Sequence, residues 1–185
     1  EANSGFTENL TGRFTVGWAD AELDNASQDV FETFPTFAPD GDVSGNKLLR
    51  QPEWLISGSL DYQRILVDDW EWYAGTDVNY QSSVYVGNDN QSWLPEHTYV
   101  NTRLGVRNGQ YTVEFWTRNL FDDGNPVAAF RDIYWANTDN QYPPYVSQGD
   151  RPDFDEFVPL RYTVTYPRER TFGLNVQMRF GAAVR

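Results

Sequence analysis

Residues 171–180 read TFGLNVQMRF, and this stretch decides the fold because apolar and polar side chains alternate along its whole length. The apolar set consists of Phe172, Leu174, Val176, Met178 and Phe180. Glycine or a polar residue occupies each position between them. Since successive side chains of a β-strand point to opposite faces of a sheet, the pattern predicts a strand with one apolar and one polar face.

Five earlier segments repeat this alternation, so the chain is predicted to be all-β and antiparallel, with about six strands. They lie at about residues 10–22, 53–65, 70–86, 98–107 and 110–119. The polar face that they define carries charged residues, and aromatic residues occur near the ends of the apolar face. Strands of about 9–13 residues suit a tilted crossing of a bilayer, whereas strands of soluble proteins average nearer 5 or 6. The pattern therefore favours a transmembrane β-barrel with a wet lumen.

The connections between these segments alternate between long and short. The long or medium connections are residues 23–52, 87–97 and 120–170. The short ones are Val67–Asp69 and Asn108-Gly109, and the latter pair is typical of a two-residue type I′ hairpin. Because outer-membrane barrels have short periplasmic turns and long extracellular loops, the alternation predicts that the last strand runs towards the periplasm. The strand-like segment Tyr162–Tyr166 is interpreted as a loop extension that leads into that strand.

Composition agrees with a barrel and argues against several other classes. Aromatic residues make up 16% of the chain, with 7 Trp, 11 Tyr and 12 Phe, as in barrels with aromatic girdles at both membrane surfaces. The mean hydropathy is -0.64, and no apolar run reaches the roughly 20 residues of a transmembrane helix. The net charge of -13 argues against nucleic-acid binding, which depends on Lys and Arg. Without Cys, this chain forms no disulfide and no zinc–thiolate site.

Two motifs resemble the end of the barrel of TonB-dependent outer-membrane receptors. Residues 111–122, YTVEFWTRNLFD, resemble the penultimate strand of that family, which commonly ends in Asn-Leu-Phe-Asp. Residues 170–180, RTFGLNVQMRF, resemble its closing strand, and Leu49–Pro52 is similar to a recurrent upstream feature. Most members of the family stop at the terminal aromatic residue, whereas this chain continues past Phe180 to Arg185.

The resemblance implies that residues 1–185 are the C-terminal portion of a larger barrel of about 22 strands in the bacterial outer membrane. The N-terminal plug of the family is not found in this chain. The implied function is active uptake of a scarce ligand, such as an iron chelate, a vitamin or an oligosaccharide, with energy from a TonB-type complex. Expected partners are outer-membrane lipid, the remainder of the barrel, the plug and the ligand. Neither enzymatic activity nor a cofactor is expected.

The long loop 120–170 provides the candidate ligand site, because aromatic faces stack on sugars and amides hydrogen-bond to them. The candidate ligand-binding residues are Arg131, Tyr134, Trp135, Asn137, Tyr142 and Tyr145. The candidate lumen-facing residues are Arg103, Glu114, Trp116 and Arg118. Alternatively, the loop aromatics pack against neighbouring loops or lie at the membrane surface, and the lumen residues only satisfy one another.

No catalytic or metal site is predicted. His97 is the only histidine and has no neighbouring nucleophile, so it indicates neither a triad nor a zinc site. Acidic clusters occur at Asp68-Asp69, at Asp122-Asp123 and in residues 153–156. They are interpreted as solvated turns and loops, with calcium in a surface loop as the alternative.

The sequence leaves three other functions open. A passive or structural barrel assembled from several short chains predicts a stable homo-oligomer in detergent. A secreted β-sandwich that binds carbohydrate predicts solubility without detergent. A glycoside hydrolase that uses the acidic clusters predicts loss of activity when two carboxylates are changed.

Overall fold

A computed structural model describes residues 2–27, 41–133 and 160–180, and all the regular secondary structure in these ranges is β. The strands are β1 (Ala2–Thr7), β2 (Leu10–Trp18), β3 (Trp54–Val67), β4 (Trp70–Gln81), β5 (Val84–Tyr85), β6 (Trp93–Leu94), β7 (His97–Arg107), β8 (Tyr111–Arg118), β9 (Ala128–Ile133), β10 (Leu160–Thr165) and β11 (Thr171–Met178). The prediction of an all-β, antiparallel fold is confirmed. Within the described ranges, no helix has the length and apolarity needed to span a membrane.

Seven strands form one sheet in the order β1-β2-β3-β4-β7-β8-β11. Every pair in it is antiparallel. The order follows the chain except that two short hairpins, β5–β6 and β9–β10, are inserted into the connections before β7 and before β11. In the described residues this sheet is open, with β1 and β11 as its edges, and no closed barrel is formed.

The six predicted strands are confirmed, and their ends are shifted by a few residues. The third was predicted to reach residue 86, but β4 ends at Gln81. The reason is that Ser82 closes the β3–β4 pair: its amide donates to the Trp54 carbonyl, and its hydroxyl accepts from the Trp54 amide, both at 3.0 Å. The edge strand β1 was not predicted, because its sequence ANSGFT has no apolar alternation.

The register places most apolar positions of the sheet on one side, and Leu55 and Ile65 of β3 are exceptions on the other side. We call this side the apolar face: the even-numbered residues of β2, β3, β4, β7 and β11 and the odd-numbered residues of β8. In the row Leu104–Phe115–Leu174, for example, directly paired side chains are 54%, 47% and 64% exposed. The apolar alternation therefore does not bury a core beneath the sheet in the described residues.

Short turns lie at one end of the sheet and long connections at the other, as predicted. The prediction of a type I′ turn at Asn108-Gly109 is wrong, because neither residue has a positive φ. Instead, the Asn108 amide donates to the Tyr111 carbonyl at 2.9 Å, so the loop proper is Gly109-Gln110. The Asn108 side chain accepts from the Gln110 and Tyr111 amides at 2.9 and 2.7 Å. This Asx-type turn replaces the left-handed backbone that a type I′ turn requires.

A small cap lies at the long-connection end, where β5–β6 and β9–β10 meet. Its hydrophobic cluster consists of Val84, Val86, Leu94, Ala129 and the partly buried Tyr162. The Ser92 and Tyr162 hydroxyls are hydrogen-bonded at 2.6 Å. The strand-like segment predicted at 162–166 is confirmed as β10, which pairs with β9 rather than with the large sheet.

Candidate functional site

The candidate functional site lies on the polar face, which we define as the odd-numbered residues of β2, β3, β4, β7 and β11 and the even-numbered residues of β8. Direct cross-strand partners form rows on this face. One row is Asp61–Gly75–Arg103–Trp116–Gly173, and the next is Gln63–Tyr73–Gly105–Glu114–Asn175. Each row contains glycine, and long side chains of neighbouring strands lie across these glycines.

The first row contains an ion pair that spans three strands. The Arg103 guanidinium on β7 lies 2.5 Å from the Asp61 carboxylate on β3, and β4 runs between them. Glycine is required at position 75 for this contact. A Cβ on Gly75 would lie 2.6 Å from the Asp61 carboxylate and 2.7 Å from Arg103 Nε, closer than such atoms can approach.

The second row is a hydrogen-bonded chain that ends on β11. The Tyr73 ring covers Gly105, and its hydroxyl donates to Glu114 at 3.0 Å. The other Glu114 oxygen accepts from the Asn175 amide at 3.2 Å. Asn175 accepts in turn from the Trp116 indole N–H at 3.4 Å. The Glu114 carboxylate is therefore held by neighbours on both sides, which fixes its orientation.

Arginines of the flanking rows extend the network: Arg107 lies beside the second row and Arg118 beside the first. Arg107 donates to Glu71 at 2.7 Å and to Gln63 at 3.3 Å, and its guanidinium lies 5.1 Å from the centre of the Tyr73 ring. Arg118 lies 5.2 Å from the centre of the Trp116 ring. Since these ion pairs are half-exposed, each contributes at most about 1 kcal/mol to stability in open water.

All four residues predicted to face a lumen line one concavity of about 490 Å³ on the polar face. Arg103, Glu114, Trp116 and Arg118 share it with Asp61, Asp77, Asn101 and Asn175. It presents carboxylates, guanidiniums, amides and one large aromatic face. Such a surface can hydrogen-bond to a polar solute or to a polar protein segment and stack on a flat ring.

The predicted loop site falls mostly outside the described residues. Tyr134, Trp135, Asn137, Tyr142 and Tyr145 all lie there. Arg131 belongs to β9, where its backbone is paired with Tyr162. His97 begins β7 opposite Gln81, and its ring centre lies 5.1 Å from that of Tyr99.

The acidic cluster at Asp122-Asp123 accepts hydrogen bonds from backbone amides. Asp122 accepts from the Arg170 amide at 2.7 Å, and Asp123 accepts from the amides of Thr98 and Asn125 at 2.8 and 3.0 Å. Asp68 lies in the β3–β4 turn with a φ of 53°. In the described ranges no three His, Asp or Glu side chains are grouped closely enough to hold a metal ion.

A second charged group lies at the long-connection end and was not predicted. Lys47 forms ion pairs with Asp20, with Glu22 at 3.1 Å and with Glu53 at 3.5 Å. Hydrogen bonds to Asp20 and Glu22 raise the pKa of Lys47 well above its ordinary value. Lys47 thereby ties the segments before and after residues 28–40 to the start of β3.

Sequence reasoning missed the partners of the four predicted residues on the polar face. Asp61, Tyr73 and Asn175 are hydrogen-bonded to the predicted residues, yet each lies on a different strand. Alternation assigns each of them to the polar face, but only the register shows which residues are opposite each other.

No protein-family model matches the chain, and no curated protein matches it. The fold and the site define the class of protein. The chain is an antiparallel all-β protein, and in its described residues the large sheet has one exposed apolar face and one charged, hydrogen-bonded face. The function has to be inferred from those two faces.

Proposed function

We propose that the chain forms part of the wall of an outer-membrane β-barrel, and that the complete protein is an active-transport receptor that takes up a scarce ligand with energy from a TonB-type partner. The observation that supports this most directly is the opposition of the two faces along the sheet. A sheet exposed to lipid on one side and to a wet lumen on the other requires this distribution.

The dimensions of the sheet suit a bilayer. At about 3.3 Å per residue the 12 residues of β4 extend about 40 Å, which a strand tilt of about 40° reduces to about 30 Å. The hydrocarbon core of a bilayer is about 30 Å thick. Aromatic pairs lie near both ends of the apolar face: Trp18 and Trp54 at the long-connection end and Tyr62 and Trp72 at the short-turn end. Aromatic girdles at the two membrane surfaces have this arrangement.

The free edges of the sheet call for further strands. In hydrocarbon, an unpaired strand edge leaves amides and carbonyls without partners, at several kcal/mol for each group. In the proposed barrel, β1 and β11 therefore pair with strands outside the described residues. The polar face then lines the lumen, and its network lies in the path of a solute or against a plug.

The two motifs that resemble TonB-dependent receptors are joined in the structure, although they lie about 50 residues apart in sequence. The Arg170 amide donates to Asp122 at 2.7 Å, and Thr171 pairs with Arg118. Asn119 of the first motif also donates to the carbonyl of Arg168, which lies two residues before the second motif, at 3.1 Å. The resemblance of these two neighbouring motifs to the receptor family is the reason for proposing a receptor rather than an unspecified barrel.

This chain contains no Cys, so membrane insertion can be tested with single-cysteine spin labels placed in it. Val176→Cys and Gln177→Cys are adjacent on β11 and lie on opposite faces, and Leu60→Cys and Ser59→Cys form the matched pair on β3. The full-length protein is reconstituted into vesicles, and label accessibility to oxygen and to a water-soluble nickel chelate is measured. We expect oxygen to dominate at positions 176 and 60 and nickel at 177 and 59. Equal nickel accessibility at all four positions would remove the membrane proposal and favour a soluble carbohydrate-binding protein.

Transport is tested separately. Cells with and without the protein are compared for accumulation of labelled iron chelates, vitamin B12 and malto-oligosaccharides, with and without a protonophore. A receptor gives accumulation of one class that the protonophore abolishes, and no steady conductance in planar bilayers. A steady conductance with no energy-dependent uptake would contradict the receptor proposal and favour a passive barrel.

A further inference from the structure

A groove of about 400 Å³ interrupts the apolar face across β1 to β4. Its floor is formed by Gly12 and Gly58, and bulky residues such as Phe14, Leu60 and Val78 form its walls. The Phe6 ring of β1 lies over Gly12, where an added Cβ would approach it to 2.7 Å. Gly58 is open, since a Cβ there would meet its nearest atoms only at 3.7 Å.

Arg64 is a cation on the same apolar face. It lies on β3 directly opposite Trp72, next to the Tyr62–Trp72 ring pair at the short-turn end. It is exposed, and among the described residues its side chain forms no ion pair or hydrogen bond, unlike those of Arg103 and Arg107 on the polar face. An unpaired guanidinium beside interfacial aromatics has the charge and the fork of N–H donors that suit a phosphate.

The spacing between Arg64 and the groove is that of one lipid leaflet. Leu60 and Gly58 lie four and six residues from Arg64 on the same face of β3. At about 3.3 Å per residue and a tilt of about 40°, those positions lie about 10 and 15 Å deeper than Arg64. Half of a hydrocarbon core is about 15 Å. The groove is therefore at the depth reached by the chain of a lipid whose phosphate lies at Arg64.

We propose that Arg64 and the groove bind one anionic phospholipid, with its phosphate on the Arg64 guanidinium and an acyl chain over Gly58, beside the Phe6 ring that covers Gly12. This inference rests on the proposed membrane location and adds a specific lipid site to it. Charge complementarity at Arg64 selects an anionic headgroup, and the glycine floor provides room for one chain beside Phe14 and Leu60. The lipid would fill a gap that otherwise leaves the β1–β2–β3 packing incomplete.

The test counts the phospholipids retained by the full-length protein. It is reconstituted in phosphatidylcholine vesicles containing a small fraction of phosphatidylglycerol, then released and examined by native mass spectrometry. Arg64→Gln removes the headgroup contact, and Gly58→Leu fills the groove from a position that accepts a Cβ. Arg179→Gln is the matched control. It makes the same charge change near the same end of the sheet, but at a position that continues the odd-numbered, polar-face residues of β11.

We expect one retained phosphatidylglycerol in the native protein and in Arg179→Gln. In Arg64→Gln its occupancy should fall about five-fold, the factor that corresponds to ~1 kcal/mol for one basic residue near an anionic lipid surface. Gly58→Leu should lower it as well. If the spin labels show membrane insertion but neither substitution lowers the phosphatidylglycerol occupancy, the lipid site is overturned and the proposed function is not. Failure of insertion itself would overturn the proposed function first.

Discussion

At the scale of single residues, glycines and one asparagine determine how the strands of the polar face fit together. Tyr73 covers Gly105, and Trp116 covers Gly173, each directly across a strand pair. An aromatic ring laid over a cross-strand glycine protects the backbone hydrogen bonds and fixes the register. The ring is thereby also placed to reach the next strand, as the hydrogen bond from Tyr73 to Glu114 of β8 illustrates.

Substitution of Gly173 by Ala is expected to destabilise the protein, because the new Cβ would lie 2.5 Å from the Trp116 ring. We expect a loss of about 1–3 kcal/mol, the usual cost of overpacking, measured by urea unfolding of the reconstituted protein. The control is Gly17→Ala, where the nearest atom lies at 3.7 Å. Equal effects of the two substitutions would contradict the role given to the Trp116–Gly173 contact.

Asn119 is buried, with a φ of 51°, at the joint between the two receptor-like motifs. Its side chain donates to the carbonyls of Asp123 and Arg168 and accepts from the Asp123 amide at 2.9 Å. Asn119→Ala should cost about 2–4 kcal/mol, from the lost hydrogen bonds and the left-handed backbone. Asn119→Gly loses the same hydrogen bonds but accepts the φ, so it should be about 1 kcal/mol less harmful. If the glycine variant is as unstable as the alanine variant, the left-handed backbone at position 119 contributes nothing to the loss of stability.

At the scale of elements, the cap is a folded unit that stands on the end of the large sheet. Its hairpins β5–β6 and β9–β10 belong to different connections and contact each other through Leu94, Ala129 and Tyr162. Long connections that pack on one another in this way can hold a surface site more precisely than free loops can. Of the predicted ligand residues, Arg131 lies on β9 in this cap, and the others lie outside the described residues.

Tyr162→Phe tests whether the cap opens independently of the sheet. The substitution keeps the ring in the apolar cluster and removes the 2.6 Å contact with Ser92, at about 1 kcal/mol. Hydrogen exchange should rise several-fold in β5, β6, β9 and β10 and stay unchanged in β3, β4 and β7. Uniform acceleration through the whole chain would mean that cap and sheet unfold as one unit. Tyr166→Phe, outside these strands and exposed, is the control.

At the scale of the whole molecule, the proposal of a barrel wall rests on the distribution of polarity over the two faces of the sheet. In the described residues no second layer covers the apolar face, and Leu174 and Val176 are 64% and 67% exposed. A soluble protein that exposed such a continuous apolar surface would aggregate. In the proposed barrel, lipid would cover this face and the charged network on the other face would line the lumen.

Charge substitutions should therefore have different effects on the two faces. In vesicles, Leu174→Arg places a charge in hydrocarbon and is expected to cost about 2–4 kcal/mol, whereas Gln177→Arg on the polar face should cost little. Urea-induced unfolding from vesicles measures both. Similar tolerance of the two arginines would contradict the assignment of the apolar face to lipid.

Alternation along the chain was sufficient to predict the all-β fold, six of the seven strands of the large sheet and the face of every lumen candidate. The reason is that a period of two is a local property of the backbone, visible wherever apolar and polar residues take turns. It was insufficient for β1, whose side chains do not alternate, and for the turn at Asn108, where side-chain hydrogen bonds override the preference of Asn-Gly. Those features depend on backbone pairing and on local polar contacts.

Only the tertiary structure decided which residues meet. The Asp61–Arg103 pair, the chain from Tyr73 through Glu114 to Asn175 and the position of Arg64 opposite Trp72 all depend on register between strands that are far apart in sequence. Register is set by the sum of backbone hydrogen bonds and face matching over whole strands, and no short motif encodes it. The sequence by itself therefore determined the strands and their two faces, whereas the network and the groove arise only when the strands are paired.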